Sequence, residues 1–210
     1  WYNHDSIREY ICNFIMSKLE TNQVDPATGT TLTLGTSGDT ITIPSGVTIA
    51  NSGTDTGFGG TNTAEFLAYR GGSTQTGIAD NVTTKLEFNT ESFDPDGVFD
   101  NSTNYRFVAP SAGKYMLYTN IHIYDSSTSI QTFTLKFYKN GSKYSQTYFL
   151  SSSDDPLKYA FLSLTQVADL SASDYIEVYA QVNTVDGGST NLEHESGIMQ
   201  NYFGGYKLIT

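Results

Sequence analysis

Residues Phe88–Tyr115 read FNTESFDPDGVFDNSTNYRFVAPSAGKY, and the fold of the chain turns on this stretch. Four of its six aromatic residues, Phe88, Phe99, Phe107 and Tyr115, recur at intervals of eight to eleven residues. Phe88, Phe99 and Phe107 are large apolar groups expected to meet in one core. Asp94-Pro95-Asp96-Gly97 has the composition of a turn, and Pro110 with Gly113 breaks the chain between paired strands. Short strands joined by tight turns are the economical reading.

Outward from this stretch the pattern is dense in β-formers. Strands are expected at Ala64–Tyr69, Thr83–Phe88, Tyr105–Ala109, Lys114–Tyr124, Thr132–Lys139, Lys143–Leu150, Lys158–Val167, Asp174–Val182 and Gln200–Ile209. Three of them alternate cleanly. Tyr115, Leu117, Thr119, Ile121 and Ile123 share one face, as do Phe133, Leu135 and Phe137, and likewise Ile176, Val178, Ala180 and Val182. Those faces are expected to form the core between two sheets. Asn140-Gly141 is a strong hairpin signal. Composition agrees, since only 16% of residues are charged while Gly, Ser, Thr, Asn and Tyr abound. The class is all-β.

The run Phe88, five residues, Asp94, four residues, Phe99, seven residues, Phe107, five residues, Gly113-Lys114-Tyr115 resembles the globular head of complement component one-q. That family shares its jelly roll with the tumour necrosis factors. Its signature has six residues where this chain has seven, and it prefers aromatics where Leu117 and Thr119 stand. Further matches follow in order: Phe66-x-Ala68, Leu135 with Lys139-Asn140-Gly141, Ser173-Asp174-Tyr175, and Phe203-Gly204-Gly205-Tyr206-Lys207-Leu208. The resemblance covers roughly residues 64–210. It implies a ten-stranded, two-sheet jelly-roll sandwich over residues 63–210 that assembles as a homotrimer, with its first and last strands near the threefold axis. Phe88, Phe99, Phe107, Gly113 and Tyr115 are then the core signature. Tyr118 and Tyr206 are the expected trimer-interface residues, and Tyr124, Tyr138 and Tyr179 also fall opposite the presumed core. No ligand-binding residue is identified.

Residues 1–29 form a lead-in in which Ile7, Tyr10, Ile11, Phe14, Ile15 and Leu19 have helical spacing. Such a short helix needs a partner to hold its shape, and other virion proteins are the expected one. Met16 also reads as a natural start, with residues 1–15 upstream of it. Residues 30–62 are a Gly/Ser/Thr-rich β shaft or linker, carrying the apolar pairs Leu32 with Leu34, Ile41 with Ile43, and Val47 with Ile49 between turns. Three chains wound together would bury that stripe. The wording from Gly38 to Gly53 resembles stretches in tail-fibre and other virion proteins of marine bacterial viruses.

A net charge of −11, from 22 acidic and 11 basic residues, repels phosphate backbones, so no nucleic acid is expected as partner. No apolar run reaches the length of a membrane helix, and membrane insertion is not expected. Cys12 is the single cysteine, so no intrachain disulfide forms. His4, His122 and His194 have no ligand spacing, and His122 is expected at solvent or at a subunit interface. Asp94, Asp96 and Asp100 are the candidate calcium ligands, against a simpler reading as turn residues. Asp154 with Asp155, and Glu193 with Glu195, are further acidic loops. Calcium is the one cofactor these residues offer. The sequons at Asn81, Asn101 and Asn140 read as turns. No nucleophilic or phosphate-binding motif is present, and no catalytic residue is expected. The N-terminus lacks a signal-peptide pattern, which favours a bacteriophage fibre exposed on the virion. Its trimeric head is then expected to recognise a host-surface glycan or protein, or to cap the fibre. The alternative is a secreted or cell-surface adhesion or pattern-recognition module of the same fold.

Overall fold

The computed structural model describes Val24, residues 28–50 and residues 64–208. The expected helix over residues 5–19, His4, Cys12 and the linker residues 51–63 lie outside the described residues.

Residues 28–50 contain two hydrogen-bonded turns, with Asp39 N donating to Thr36 O at 3.0 Å and Val47 N to Pro44 O at 3.2 Å. They fall where the Gly-Thr-Ser-Gly-Asp and Pro-Ser-Gly text predicts them. No strand forms between them, and Leu32, Leu34, Ile41, Ile43, Val47 and Ile49 are all exposed. Among the described residues these short apolar segments have no partner strand.

Residues 64–208 carry the strands β1 (Glu65–Tyr69), β2 (Gln75–Ile78), β3 (Thr84–Lys85), β4 (Thr90–Phe93), β5 (Phe99–Asp100) and β6 (Arg106–Val108). Seven more follow: β7 (Gly113–Tyr124), β8 (Ile130–Lys139), β9 (Ser142–Leu150), β10 (Tyr159–Leu170), β11 (Tyr175–Thr184), β12 (Thr190–Leu192) and β13 (Tyr202–Lys207). The first sheet runs β4-β1-β13-β7-β10, with β12 beside the far end of β7 and β2 beyond it. The second runs β5-β6-β11-β8-β9, with β3 also on β11. Long strands cross between the sheets: β7 lies in the first, β8 and β9 in the second, β10 in the first, β11 in the second and β13 in the first. All ladders between named strands are antiparallel, and the result is a two-sheet jelly-roll sandwich.

Thirteen strands stand where the sequence places nine ranges and the resemblance implies ten. The additional ones, β2, β4, β5 and β12, have two to four residues, too few for alternation to show in sequence. The expected strand Thr83–Phe88 keeps only Thr84–Lys85 in its ladder, although Leu86 and Phe88 are fully buried.

The core lies between the sheets and includes every residue of the three alternating faces. Phe66 stacks on Phe99 at 5.2 Å and on Phe107 at 5.0 Å, and Phe203 meets Phe66 edge-on at 5.0 Å. Phe88 packs against Phe203 at 6.0 Å. Each such ring stabilises the fold by about 1.5–3 kcal/mol on burial. Tyr115 is fully buried and donates its hydroxyl to Ser111 O at 2.7 Å. Gly113, at φ 149°, leaves room for the Lys207 stem, whose Cε would lie 2.7 Å from an added Cβ.

Candidate functional site

The two sheets turn very different faces away from the core. On the first sheet, alternation sends Met116, Tyr118, Asn120, His122 and Tyr124 of β7 outward, together with Tyr159, Phe161, Ser163, Thr165 and Val167 of β10. Strands β13 and β1 add Tyr202, Gly204, Tyr206, Glu65, Leu67 and Tyr69. Register places them in rows: Tyr124 with Tyr159, His122 with Phe161, and Ser163-Asn120-Tyr202-Tyr69. Two further rows are Thr165-Tyr118-Gly204-Leu67 and Val167-Met116-Tyr206-Glu65. Large apolar and aromatic side chains thus run across five strands, with Phe161 62% exposed, Tyr159 43% and Val167 42%. Phe93 of β4, opposite Leu67, prolongs the face.

The expected interface residues Tyr118 and Tyr206 both lie on this face. The Tyr118 ring crosses β13 because Gly204 has no side chain there: an added Cβ would fall 2.6 Å from the Tyr118 Cζ and Oη atoms. Tyr202 stands edge-on to the same ring at 6.2 Å. Burial raises the pKa of the Tyr118 hydroxyl, and nearby Tyr202, Tyr206 and Glu65 add to that.

His122 sits under the upper part of the face. Its ring stacks on Phe161 at 4.1 Å and lies 5.4 Å from Tyr159. Nδ1 is 3.2 Å from Gln200 Oε1 and 3.4 Å from the Glu193 carboxylate, while Nε2 is buried with no hydrogen-bond partner. Lys158 holds its ammonium 5.5 Å from the Tyr124 ring. At the β1 end a concavity of about 440 Å³ lined by Tyr69, Thr90, His194, Ile198 and Met199, among others, adjoins the face.

The candidate calcium ligands do not converge. Asp94 accepts hydrogen bonds from Val98 N at 2.9 Å and Phe99 N at 2.8 Å, and Asp96 accepts one from Ala64 N at 2.7 Å. Asp100 accepts from the backbone N–H groups of Ser102, Thr103 and Asn104 and from Asn104 Nδ2. These bonds, that from Thr103 foremost, hold the Asp100 carboxyl well below the usual carboxylate range. Among the described residues no group of three or more His, Cys, Asp or Glu side chains is placed to hold a metal ion. His122 and His194 lie apart in function too: His194 Nδ1 faces Arg70 O at 3.3 Å. Of the acidic loops, Glu193 serves His122, and Asp155 accepts at its backbone oxygen from Ser151 Oγ at 2.6 Å.

The outward residues Leu67, Phe93, Phe161, Val167 and Gly204 were not singled out from sequence. Phe161 and Val167 carried a legible signal, since they alternate with the buried Ala160, Leu164 and Ala168. Phe93 carried none, because β4 is too short.

No family model matches the chain, and no curated protein matches it. Among solved structures, the globular domain of a zebrafish complement 1qA protein is similar at 14% identity and a TM-score of 0.47, over 69% of this chain and 97% of that one. Eiger TNF from S. frugiperda is similar at 15% identity and a TM-score of 0.48, over 70% of this chain and 92% of that one.

Proposed function

We propose that residues 64–208 are the head of a homotrimer that binds rather than catalyses, displayed on a bacterial-virus fibre and either recognising the host surface or capping the fibre. The observation that carries the assembly half is the aromatic outer face of the first sheet. An exposed apolar band across five strands costs solvation free energy in an isolated chain, and packing against neighbouring copies around a threefold axis removes it from water. Tyr118, Tyr202 and Tyr206 on its middle strands and Phe93 and Phe161 on its edge strands, with Asn120, Ser163 and Thr165 between them, have the composition of a subunit interface. The exposed pairs Leu32 with Leu34, Ile41 with Ile43 and Val47 with Ile49 favour three chains, which together bury one stripe along a shaft. Such a shaft raises the local concentration of three heads and so favours multivalent attachment.

The virion setting is supported by the wording of residues 38–53. The test is a mass measurement by sedimentation, followed by staining of susceptible cells with labelled protein. A particle of three 23.0 kDa chains that stains cells is the expected outcome. A monomer at micromolar concentration overturns the assembly half. A trimer that binds purified virions but no cell makes the head a cap.

A further inference from the structure

The outer face of the second sheet is the opposite of the first in chemistry. Its rows, read from register, are Arg106-Glu177-Tyr138-Lys143, then Lys85-Tyr179-Lys136-Gln146, then Gln181-Thr134-Tyr148. Four of the chain's 11 basic residues stand in two adjacent rows of a protein with net charge −11. The patch spans about 14 Å across four strands.

Most of its charge has no carboxylate partner. Glu177 is paired with Lys85. Asp100 stands opposite Arg106, but its carboxylate is turned to the amides of Ser102, Thr103 and Asn104. Arg106 lays its guanidinium on the Tyr175 ring at 4.3 Å, and its Nε is buried with no hydrogen-bond partner. Lys136 is 6% exposed, and its ammonium meets only the neutral oxygens of Thr83 and Gln181. Burial, and the charge of nearby Lys143, lower the pKa of the Lys136 ammonium. A buried cation beside a like charge is destabilised, and an anion placed over the pair relieves it.

Between the cations the Tyr138 and Tyr179 rings pack at 4.3 Å, tilted by 38° to each other. Aromatic faces accept the C–H face of a sugar ring, while Gln146 and Thr134 offer hydrogen-bonding groups for hydroxyls. A long phosphate backbone would run off the patch into the acidic remainder of the surface.

We infer that this face binds a short segment of an acidic polysaccharide, with Arg106 and Lys143 each engaging a separate carboxylate or sulfate along the segment and the Tyr138–Tyr179 pair supporting the sugar ring between them. The inference rests on the recognition half of the proposal above and names its ligand class. It leaves the first sheet free for assembly.

The test is calorimetric titration of the full chain with oligogalacturonate, with a sulfated galactan oligosaccharide, with neutral dextran and with a single-stranded oligonucleotide. One or both acidic oligosaccharides are expected to bind, the better of the two arms identifying carboxylate or sulfate, and binding weakens as salt rises. Lys143→Gln and Arg106→Gln are each expected to weaken it about tenfold, the effect of one lost charge-assisted hydrogen bond. Lys114→Gln, an equal change of charge on the first sheet, is expected to leave affinity within about twofold. Lys143 is exposed and without hydrogen-bond partners among the described residues, so its variant should fold even if that of Arg106 does not. Binding by neither acidic oligosaccharide, equal binding of the oligonucleotide, or equal weakening by Lys114→Gln overturns the inference. In those cases cell staining by the labelled protein still reports on the recognition head itself, so the two failures are told apart.

Discussion

Gly204 sits where two demands meet, the closeness of β13 to β7 and the flat lie of the Tyr118 ring. Gly204→Val forces that ring off the sheet, and overpacking of this kind destabilises by about 1–3 kcal/mol. A lowered melting temperature together with a weaker trimer is the expected result. Asp174 offers a test by pH. Its carboxylate accepts from Lys139 Nζ at 2.9 Å, from Asn140 Nδ2 at 2.7 Å and from Ser171 N at 2.8 Å, and these bonds lower its pKa from 3.8 to about 2, the Lys139 bond most. A carboxyl whose folded pKa is depressed contributes stability in full above its unfolded value and loses it as pH falls through the folded value. Stability should therefore decline between about pH 4 and pH 2, and Asp174→Asn should flatten that part of the profile in denaturant titrations. The oxygens of Asp94 and Asp100 are taken up by their own turns, so millimolar calcium is expected to leave the melting temperature unchanged. A rise of several degrees would restore the metal reading.

Among elements, the β8–β9 hairpin is the most legible. Asn140 and Gly141 have φ of 51° and 77°, the backbone that a two-residue turn between twisted strands needs. Asn140 also accepts from Tyr175 N at 2.9 Å, tying the turn to β11. Gly141→Ala places a Cβ in the left-handed region and should cost about 1–2 kcal/mol, seen as a shift of the urea midpoint without a change of slope. Strands β7, β8 and β11 were readable because ten to twelve residues of alternation outweigh local exceptions. Strands β2, β4, β5 and β12 were not, because a strand of two to four residues owes its pairing to a neighbour brought near by the rest of the fold.

At the scale of the molecule, the sandwich presents two outer faces of different chemistry, one aromatic and one basic. The first predicts that Phe161→Asp or Val167→Asp, at exposed positions that carry no core packing, leaves the melting temperature of the monomer near that of the parent and breaks the trimer. Light scattering reads the mass directly, and a trimer that persists in the double variant removes this face from the assembly. The basic face should be untouched by those changes, so acidic-oligosaccharide affinity per chain is expected to survive them, with only the avidity of three linked heads lost.

The amino-acid sequence by itself determined the β class, the inward faces of β7, β8 and β11, the Asn140-Gly141 hairpin and the aromatic core from Phe88 to Tyr115. It could do so because period-two alternation and turn chemistry act between residues close in the chain. The tertiary structure alone decided that Tyr118, Tyr206 and Phe161 share one face. It also decided that Asp94, Asp96 and Asp100 turn to separate amides, and that Arg106, Lys136 and Lys143 stand together. The two shared faces depend on the register of strands tens of residues apart, which loop closure and core packing set and which no local pattern encodes.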